Sequence, residues 1–196
     1  MRGFNYKKAV QALNYLAIKS GGSLNKMKAI KLIWLSDRFH LRKYGRLITG
    51  DSYFALPNGP VPSATRDVLE NSPFLNDIAT EYAKDFLSVV DKYTYKSLSE
   101  CNLKVFSKTD IDCLEVIFSK FSKFDQFKLS DISHLFPEWK RYESALNKRL
   151  SSRFEIIDDD FFENINEESG LFNDAVDDII LSKQVYTENK NILACL

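Results

Sequence analysis

KLIWLSDRFHLRKYGRLITGDSYFALPNGPVPS, residues 31–63, is the stretch on which the fold turns. Its first third belongs to a helix that starts after Asn25, a residue suited to N-capping, and stops at Gly45, where glycine tolerates the left-handed cap conformation. Met27, Ile30, Trp34, Leu41 and Tyr44 recur along it at heptad spacing, while Leu32, Ile33, Leu35 and Phe39 fill other faces. A helix apolar on most sides is a central one. Asp37 falls within the stripe, where an unpaired charge is costly, so it needs a partner. His40, one turn on, is the nearest candidate, an arginine from another element would serve as well, and a buried carboxylate satisfied by local hydrogen bonds stands as the alternative to a functional acid.

Past Gly45 the character changes. Ile48 and Thr49 are expected to lead a strand into a Gly50-Asp51 turn, with Ser52 to Leu56 returning antiparallel. Asn58-Gly59-Pro60 is a second turn, because Asn and Gly accept positive φ. Pro62 keeps the chain extended before Ser63, the expected N-cap of a helix to about Asn71 whose amides are open to an anion or a carboxylate.

Outward from this stretch, Tyr6 to Ser20 is an amphipathic helix closed by Gly21-Gly22. Pro73 to Lys84 is expected as loop with some helix, and Phe86 to Tyr95 as a strand with Leu103 to Phe106 its partner. Ser107 and Asp110 form a capping box with a shorter acid, opening a helix on Ile111, Leu114, Ile117, Phe118 and Phe121. Lys128 to Phe136 is a short helix capped by Ser130, and a further one runs through Tyr142 to Leu150. Residues 155–168 are acidic yet rich in Ile and Phe, too apolar for a disordered tail, and Leu171 to Val185 is an amphipathic last helix. The fold class is α+β, predominantly helical, a central apolar helix with a small antiparallel sheet packed among several helices. Residues 1–153 are expected to form one domain, with 154–196 an acidic extension docked on it.

At 196 residues and 44% hydrophobic the chain buries a real core. The N-terminus is interrupted by Lys7, Lys8, Gln11, Asn14 and Lys19, unlike a signal peptide, and no run approaches the ~20 apolar residues of a membrane span. A soluble, cytoplasmic protein is expected. Cys101, Cys113 and Cys195 are odd in number and widely spaced, as reduced thiols are, and they form no metal-ligand pattern. The net charge of zero hides a polarity: residues 1–50 carry eleven Lys and Arg against the one acid Asp37, while residues 155–196 carry eleven acids against Lys183 and Lys190. Either the basic half meets an anionic partner or the acidic tail folds back onto it, unless both are merely solvated faces.

The chain has no P-loop, dinucleotide fingerprint, GxSxG elbow or HExxH. His40 and His134 are its only histidines, so acid–base chemistry is limited to few combinations, such as a small hydrolytic site with Asp37. No catalytic residue, cofactor or metal is expected. Phosphate contacts from Lys7, Lys8, Lys19, Lys26, Lys28, Lys31, Arg38, Arg42, Lys43 and Arg46 require that these share a face.

The opening stretch resembles the signature of the Panacea domain, the SocA-like antitoxin family: a K-L-hydrophobic-aromatic-L-x-D-R segment at Lys31 to Arg38, Y-G-R-x-hydrophobic-T-G-D at Tyr44 to Asp51, and the GPVPS corner within Phe54 to Ser63. KLSDISHLFPEWKR, Lys128 to Arg141, is similar to a later family segment and gives His134 and Trp139 counterparts. The similarity covers about residues 5–145. It singles out Lys31, Trp34, Asp37, Arg38, His40, Tyr44, Gly45, Arg46, Thr49, Gly50, Asp51, Asn58, Gly59, Pro60, Pro62, Ser63, His134 and Trp139 as scaffold or partner-binding residues. The resemblance implies an antitoxin, not an enzyme, that neutralises a cognate toxin encoded by an adjacent gene through direct protein contact. Further candidate partners are a second copy of the chain and DNA at the basic N-terminal helices, with no membrane. A DNA-binding autoregulator, a phage-associated regulatory protein and a small hydrolase are the alternatives.

Overall fold

The structure is a computed structural model that describes residues 3–194. In chain order its elements are α1 (Tyr6–Lys19), β1 (Ser23–Asn25), α2 (Lys26–Tyr44), β2 (Tyr53–Leu56), β3 (Gly59–Pro62), α3 (Ser63–Glu70), α4 (Asp77–Phe86), β4 (Leu87–Val89) and β5 (Thr94–Ser97). There follow α5 (Lys108–Phe121), α6 (Gln126–Ser133), α7 (Pro137–Lys140), α8 (Glu143–Asn147), β6 (Phe154–Glu155) and α9 (Val176–Ala194). Short 3₁₀ turns occupy Leu103–Val105 and Asp158–Phe162. The class is α+β and predominantly helical.

Everything is wrapped around α2. The Asn25 side chain accepts the Lys28 amide at 3.1 Å to start it, and Gly45, at φ 64°, ends it. Every residue from Ala29 to Arg42 is buried, because α1, α5, α6, α9 and the β2–β3 hairpin pack around its circumference. Such a helix has no solvent face on which to place charge. Its lysine, aspartate and arginines must each find an internal partner.

Two small antiparallel sheets brace this core, one in the order β1-β5-β4 and the other β3-β2-β6. Both depart from the expected pairings. The hairpin turn lies at Pro57-Asn58, one residue before the expected Asn58-Gly59-Pro60, because Gly59 and Pro60 already belong to β3; Tyr53 pairs with Pro62 and Leu56 with Gly59, while Ile48 and Thr49 form no strand. Their amides go to a side chain instead. Phe86 to Tyr95 breaks into the end of α4, β4 and a turn, so its pairing is local, and Leu103 to Val105 is a 3₁₀ turn. The third strand of that sheet is β1, three residues too short to announce itself by alternation. Between Pro73 and Lys84 the chain forms α4, capped by Asn76, and α6 starts at Gln126 under the side chain of Asp125 rather than Ser130. The Ser107–Asp110 capping box is formed as expected.

Beyond Arg153 the chain enters the core. Phe154 and Glu155 pair with Ala55 and Phe54, and Ile156, Phe161, Phe162 and Phe172 are buried. Burial of each phenylalanine is worth about 1.5–3 kcal/mol, so a cut at residue 155 would remove part of the core rather than a tail. Of the alternatives for the charge polarity, the acidic segment does fold back. Asp174 receives Lys43 at 2.6 Å and Arg42 at 2.8 Å, and Asp160 receives Arg141 at 2.5 Å. The last helix begins at Val176 and is described to Ala194, and Cys195 lies outside the described residues. Cys101 and Cys113 are free thiols. Among the described residues no helix is long and apolar enough to cross a membrane.

Candidate functional site

Two buried carboxylates organise residues 45–65. Asp37 Oδ1 accepts the amides of Ile48 at 2.6 Å and Thr49 at 3.0 Å, and Oδ2 accepts the hydroxyls of Thr49 and of Tyr53, the latter at 2.6 Å. Of the readings open for Asp37, the carboxylate satisfied by hydrogen bonds holds, and its partner is neither His40 nor an arginine. It is the backbone of the loop that follows the helix. Burial drives the Asp37 carboxyl above its usual range, and the four converging donors pull the other way. Asp51 repeats the device on α3: Oδ1 accepts the Ser52 amide at 2.7 Å and the Ala64 amide at 3.0 Å, and Oδ2 accepts the Thr65 amide and hydroxyl, both at 2.7 Å. Ser63 makes no capping bond, and Pro62 occupies the cap position. The helix amides are thus satisfied by a carboxylate from the chain itself. Burial lifts Asp51 to about 6.

The proline corner is held by its carbonyls. Trp139 Nε1 donates to Leu56 O at 2.8 Å, Ser130 Oγ to Asn58 O at 3.0 Å, and Lys31 Nζ to Pro60 O at 3.0 Å. His134 stacks on Trp139 with ring centroids 3.7 Å apart, beside the Pro57 carbonyl. Gly59, at φ +99°, lies where any Cβ would overlap Ser133 Oγ and Lys31 Nζ. Lys31 is the unusual member: it is 1% exposed, makes no ion pair among the described residues, and burial brings its amine down to about 7. Gly45 and Gly50 likewise serve close approach. A Cβ at Gly45 would meet Ser182 O at 2.7 Å, and one at Gly50 would overlap Gly3 O.

The arginines of α2 reach into the C-terminal segment. Arg38 packs against both rings of the Phe136–Phe172 edge-to-face pair, its guanidinium carbon 4.9 and 5.0 Å from their centroids. Its Nε donates to Glu138 Oε1 at 3.0 Å and its Nη2 to Glu163 O at 2.8 Å. Trp34 Nε1 shares the same Glu138 oxygen at 3.1 Å, and its ring is edge-on to Phe136. Arg42 donates to Phe161 O, Glu163 O, Asn164 and Asp174.

On the opposite side His40 is fully buried. Its Nδ1 faces Arg46 O at 2.8 Å, an acceptor only, so Nδ1 carries the hydrogen and Nε2 accepts from Thr109 Oγ1 at 3.0 Å. Asp110, 3.2 Å from Nε2, is already neutralised by Lys8 at 2.6 Å and Arg46 at 2.7 Å. Burial, with those cations nearby, lowers His40 to about 4, so it is neutral at pH 7. Tyr44 covers it, half exposed, with ring centroids 4.8 Å apart.

The singled-out residues thus fall into three groups: Asp37 with Thr49, and Asp51 with α3; Lys31, Asn58, Gly59, Pro60, His134 and Trp139 at the corner; and Trp34 with Arg38. His40 and Arg46 meet at Asp110 instead, and neither histidine is among the hydrogen-bond partners of Asp37. The ten cations of the first two helices and Arg46 do not share a face. Lys31, Arg38 and Arg42 are buried, while Lys8, Lys19, Lys43 and Arg46 are ion-paired. Sequence reasoning missed Tyr53, Thr65 and Glu138, and it gives Asp110 only its capping role. Of the three missed, only Glu138, an acid set between Pro137 and Trp139 in an apolar run, carries a local signal.

Beside this scaffold a groove of about 640 Å³ opens between the 45–53 loop, β6 and α9. Among the described residues no cluster of His, Cys, Asp and Glu is arranged to hold a metal ion. Searches of curated proteins and of solved structures returned no match. A family model described as antitoxin SocA-like, Panacea domain, matches residues 30–140, which run from the buried face of α2 through the corner to α7. With more than half of the chain covered and the matched residues forming one hydrogen-bonded scaffold, the chain belongs to the SocA-like antitoxin family with the Panacea domain.

Proposed function

We propose that this chain is the antitoxin of a toxin–antitoxin pair and silences a cognate toxin, encoded by an adjacent gene, by binding it directly rather than by catalysis. Family membership supports an antitoxin role in general. The observation that carries the finer reading is how fully the two carboxylates of the signature are used up inside the fold. Asp37 and Asp51 each accept four hydrogen bonds from the protein, and Arg38, though its Nη1, like His134 Nε2, has no hydrogen-bond partner among the described residues, is packed against two rings, a carboxylate and a carbonyl. Groups so occupied specify architecture. Recognition then falls to side chains outside the signature, on the surface that this scaffold holds in place.

The test is co-expression of the chain with the product of the neighbouring gene, each under its own inducible promoter, followed by size-exclusion of the purified pair. Growth restored together with a stable complex is the expected result. Rescue with no detectable complex, or rescue that persists when the chain is replaced by an unfolded variant, sinks direct neutralisation.

A further inference from the structure

Helix α9 is apolar on two sides, and the fold covers only one. Inward, Ser182 lies against Gly45, and Ile179 and Tyr186 pack on the core. Outward, Asp177, Ile180, Leu181, Gln184 and Glu188 follow one another at the i, i+3, i+4, i+7, i+11 spacing of a single face, and all five are exposed. Ile180 is 49% and Leu181 62% exposed, and Ile180, Gln184 and Glu188 border a shallow depression. A helix with aliphatic residues on both sides has a second face to cover, and contiguous exposed aliphatic surface rimmed by polar groups marks an interaction site.

The charge around this face states what fits it. The two cations of residues 155–194, Lys183 and Lys190, are spent on Asp159 at 3.2 Å and Asp158 at 2.7 Å. Asp177, Asp178 and Glu188 on α9, with Glu168 in the segment before it, are exposed and form no ion pair among the described residues. Asp177 and Glu188 lie on opposite sides of the aliphatic pair, about 16 Å apart along the helix at 1.5 Å per residue. An acidic partner would be repelled there, and an uncharged apolar one would strip water from carboxylates without replacing it. A segment with aliphatic residues in its middle and Lys or Arg at both ends satisfies both.

We propose that the outward face of α9 is the docking site for a basic amphipathic helix of the partner protein, its aliphatic residues seated on Ile180 and Leu181 and its cations meeting Asp177 and Glu188. That the partner is the toxin rests on the function proposed above, whereas the chemistry of the face does not. Two probes separate them. The first is a synthetic helical peptide of leucine and lysine, with a leucine and glutamate peptide of the same pattern as control, titrated against the full chain. The full chain binds the lysine peptide and not the glutamate one, and Leu181→Ser or the pair Asp177→Lys, Glu188→Lys weakens binding at least tenfold, with unchanged thermal unfolding. The second uses the same variants against the neighbouring gene's product, where neutralisation falls in step.

Equal binding of the lysine peptide by the full chain and both variants overturns the inference, as does neutralisation that survives both variants, and neither result touches the antitoxin reading. A concentration-dependent dimer of the chain that Leu181→Ser dissolves overturns it too, because the face then belongs to a second copy. If the peptide binds α9 as stated but the chain protects against no neighbouring toxin, the docking face stands and the antitoxin function falls.

Discussion

Replacing Asp37 tests the central claim that the family signature is architecture. Asp37→Ala removes the acceptor for four donors at a site with no solvent exposure. The two hydroxyls can rotate, but the amides of Ile48 and Thr49 cannot, and each stranded buried amide costs about 1–3 kcal/mol. Adding the space left by the carboxylate, the loss should be about 4 kcal/mol, a large part of the roughly 5–15 kcal/mol that holds a typical domain. Asp37→Asn separates hydrogen bonding from charge. Its carbonyl oxygen keeps both amides and its NH₂ donates to Thr49 Oγ1 and Tyr53 OH, so the expected cost is only about 1 kcal/mol. Urea denaturation at pH 7 measures both, and neutralisation should follow stability in each. Losses within 1 kcal/mol of each other would refute the reasoning, and so would a stable Asp37→Asn protein that binds its partner no longer.

The other expectations concern the cap, the corner and its lysine. Asp51→Ala should cost about 2 kcal/mol through the lost cap of α3, whereas Ser63→Ala should cost under about 0.5, and equal losses in chemical denaturation would return the cap to Ser63. Gly59→Ala places a methyl group against Ser133 and Lys31 at a left-handed φ, with an expected penalty of about 2–4 kcal/mol in thermal or urea unfolding, and a neutral outcome means the corner relaxes freely. Lys31→Met should become relatively less favourable as pH rises. The amine titrates near 7 when folded and near 10.5 when unfolded, so between these values the unfolded chain holds the extra proton and wild-type stability climbs with pH. The variant should be at least as stable as wild type at pH 6 and lose about 1–3 kcal/mol of that relative advantage by pH 9. A difference independent of pH rules out a neutral buried amine.

What the sequence disclosed was local. Asn25, Gly45 and the Ser107–Asp110 box act on neighbours within a few residues, and their chemistry is visible in a short window, as is a turn near Asn58, although it falls one residue earlier, at Pro57-Asn58. The failures are long-range. The helical neighbours of Asp37 supply none of its donors, which lie 11 to 16 residues away, at Ile48 and Thr49 on a loop and at Tyr53 in β2, and the apparent strand Ile48-Thr49 delivers its amides to the carboxylate. Ser63 has the ideal residue type for a cap, yet Asp51, thirteen residues before Ala64, brings two oxygens and a charge to the same amides. The basic run of the first fifty residues was read as surface because lysine and arginine are mostly exposed. A helix covered on all sides reverses that rule, and no window on the sequence reports how many elements will pack around it.

Arg38 and Arg42 connect this buried scaffold to the C-terminal segment. Both lie on α2, Arg38 within the signature, and both fasten residues 161–164, beyond the stretch that the family model matches, largely through the backbone carbonyls of Phe161 and Glu163. A carbonyl is offered by any residue, so the grip fixes the path of the segment while leaving its outward side chains free to differ. The inward aromatics Phe161, Phe162 and Phe172 anchor that path by burial. The chain then delivers α9 against Gly45 with its outer face unspent. A core that holds a following segment by its backbone suits a protein whose partner must be matched by side chains: substitutions at Ile180, Leu181 or Glu188 alter the docking face without disturbing a single hydrogen bond of the signature.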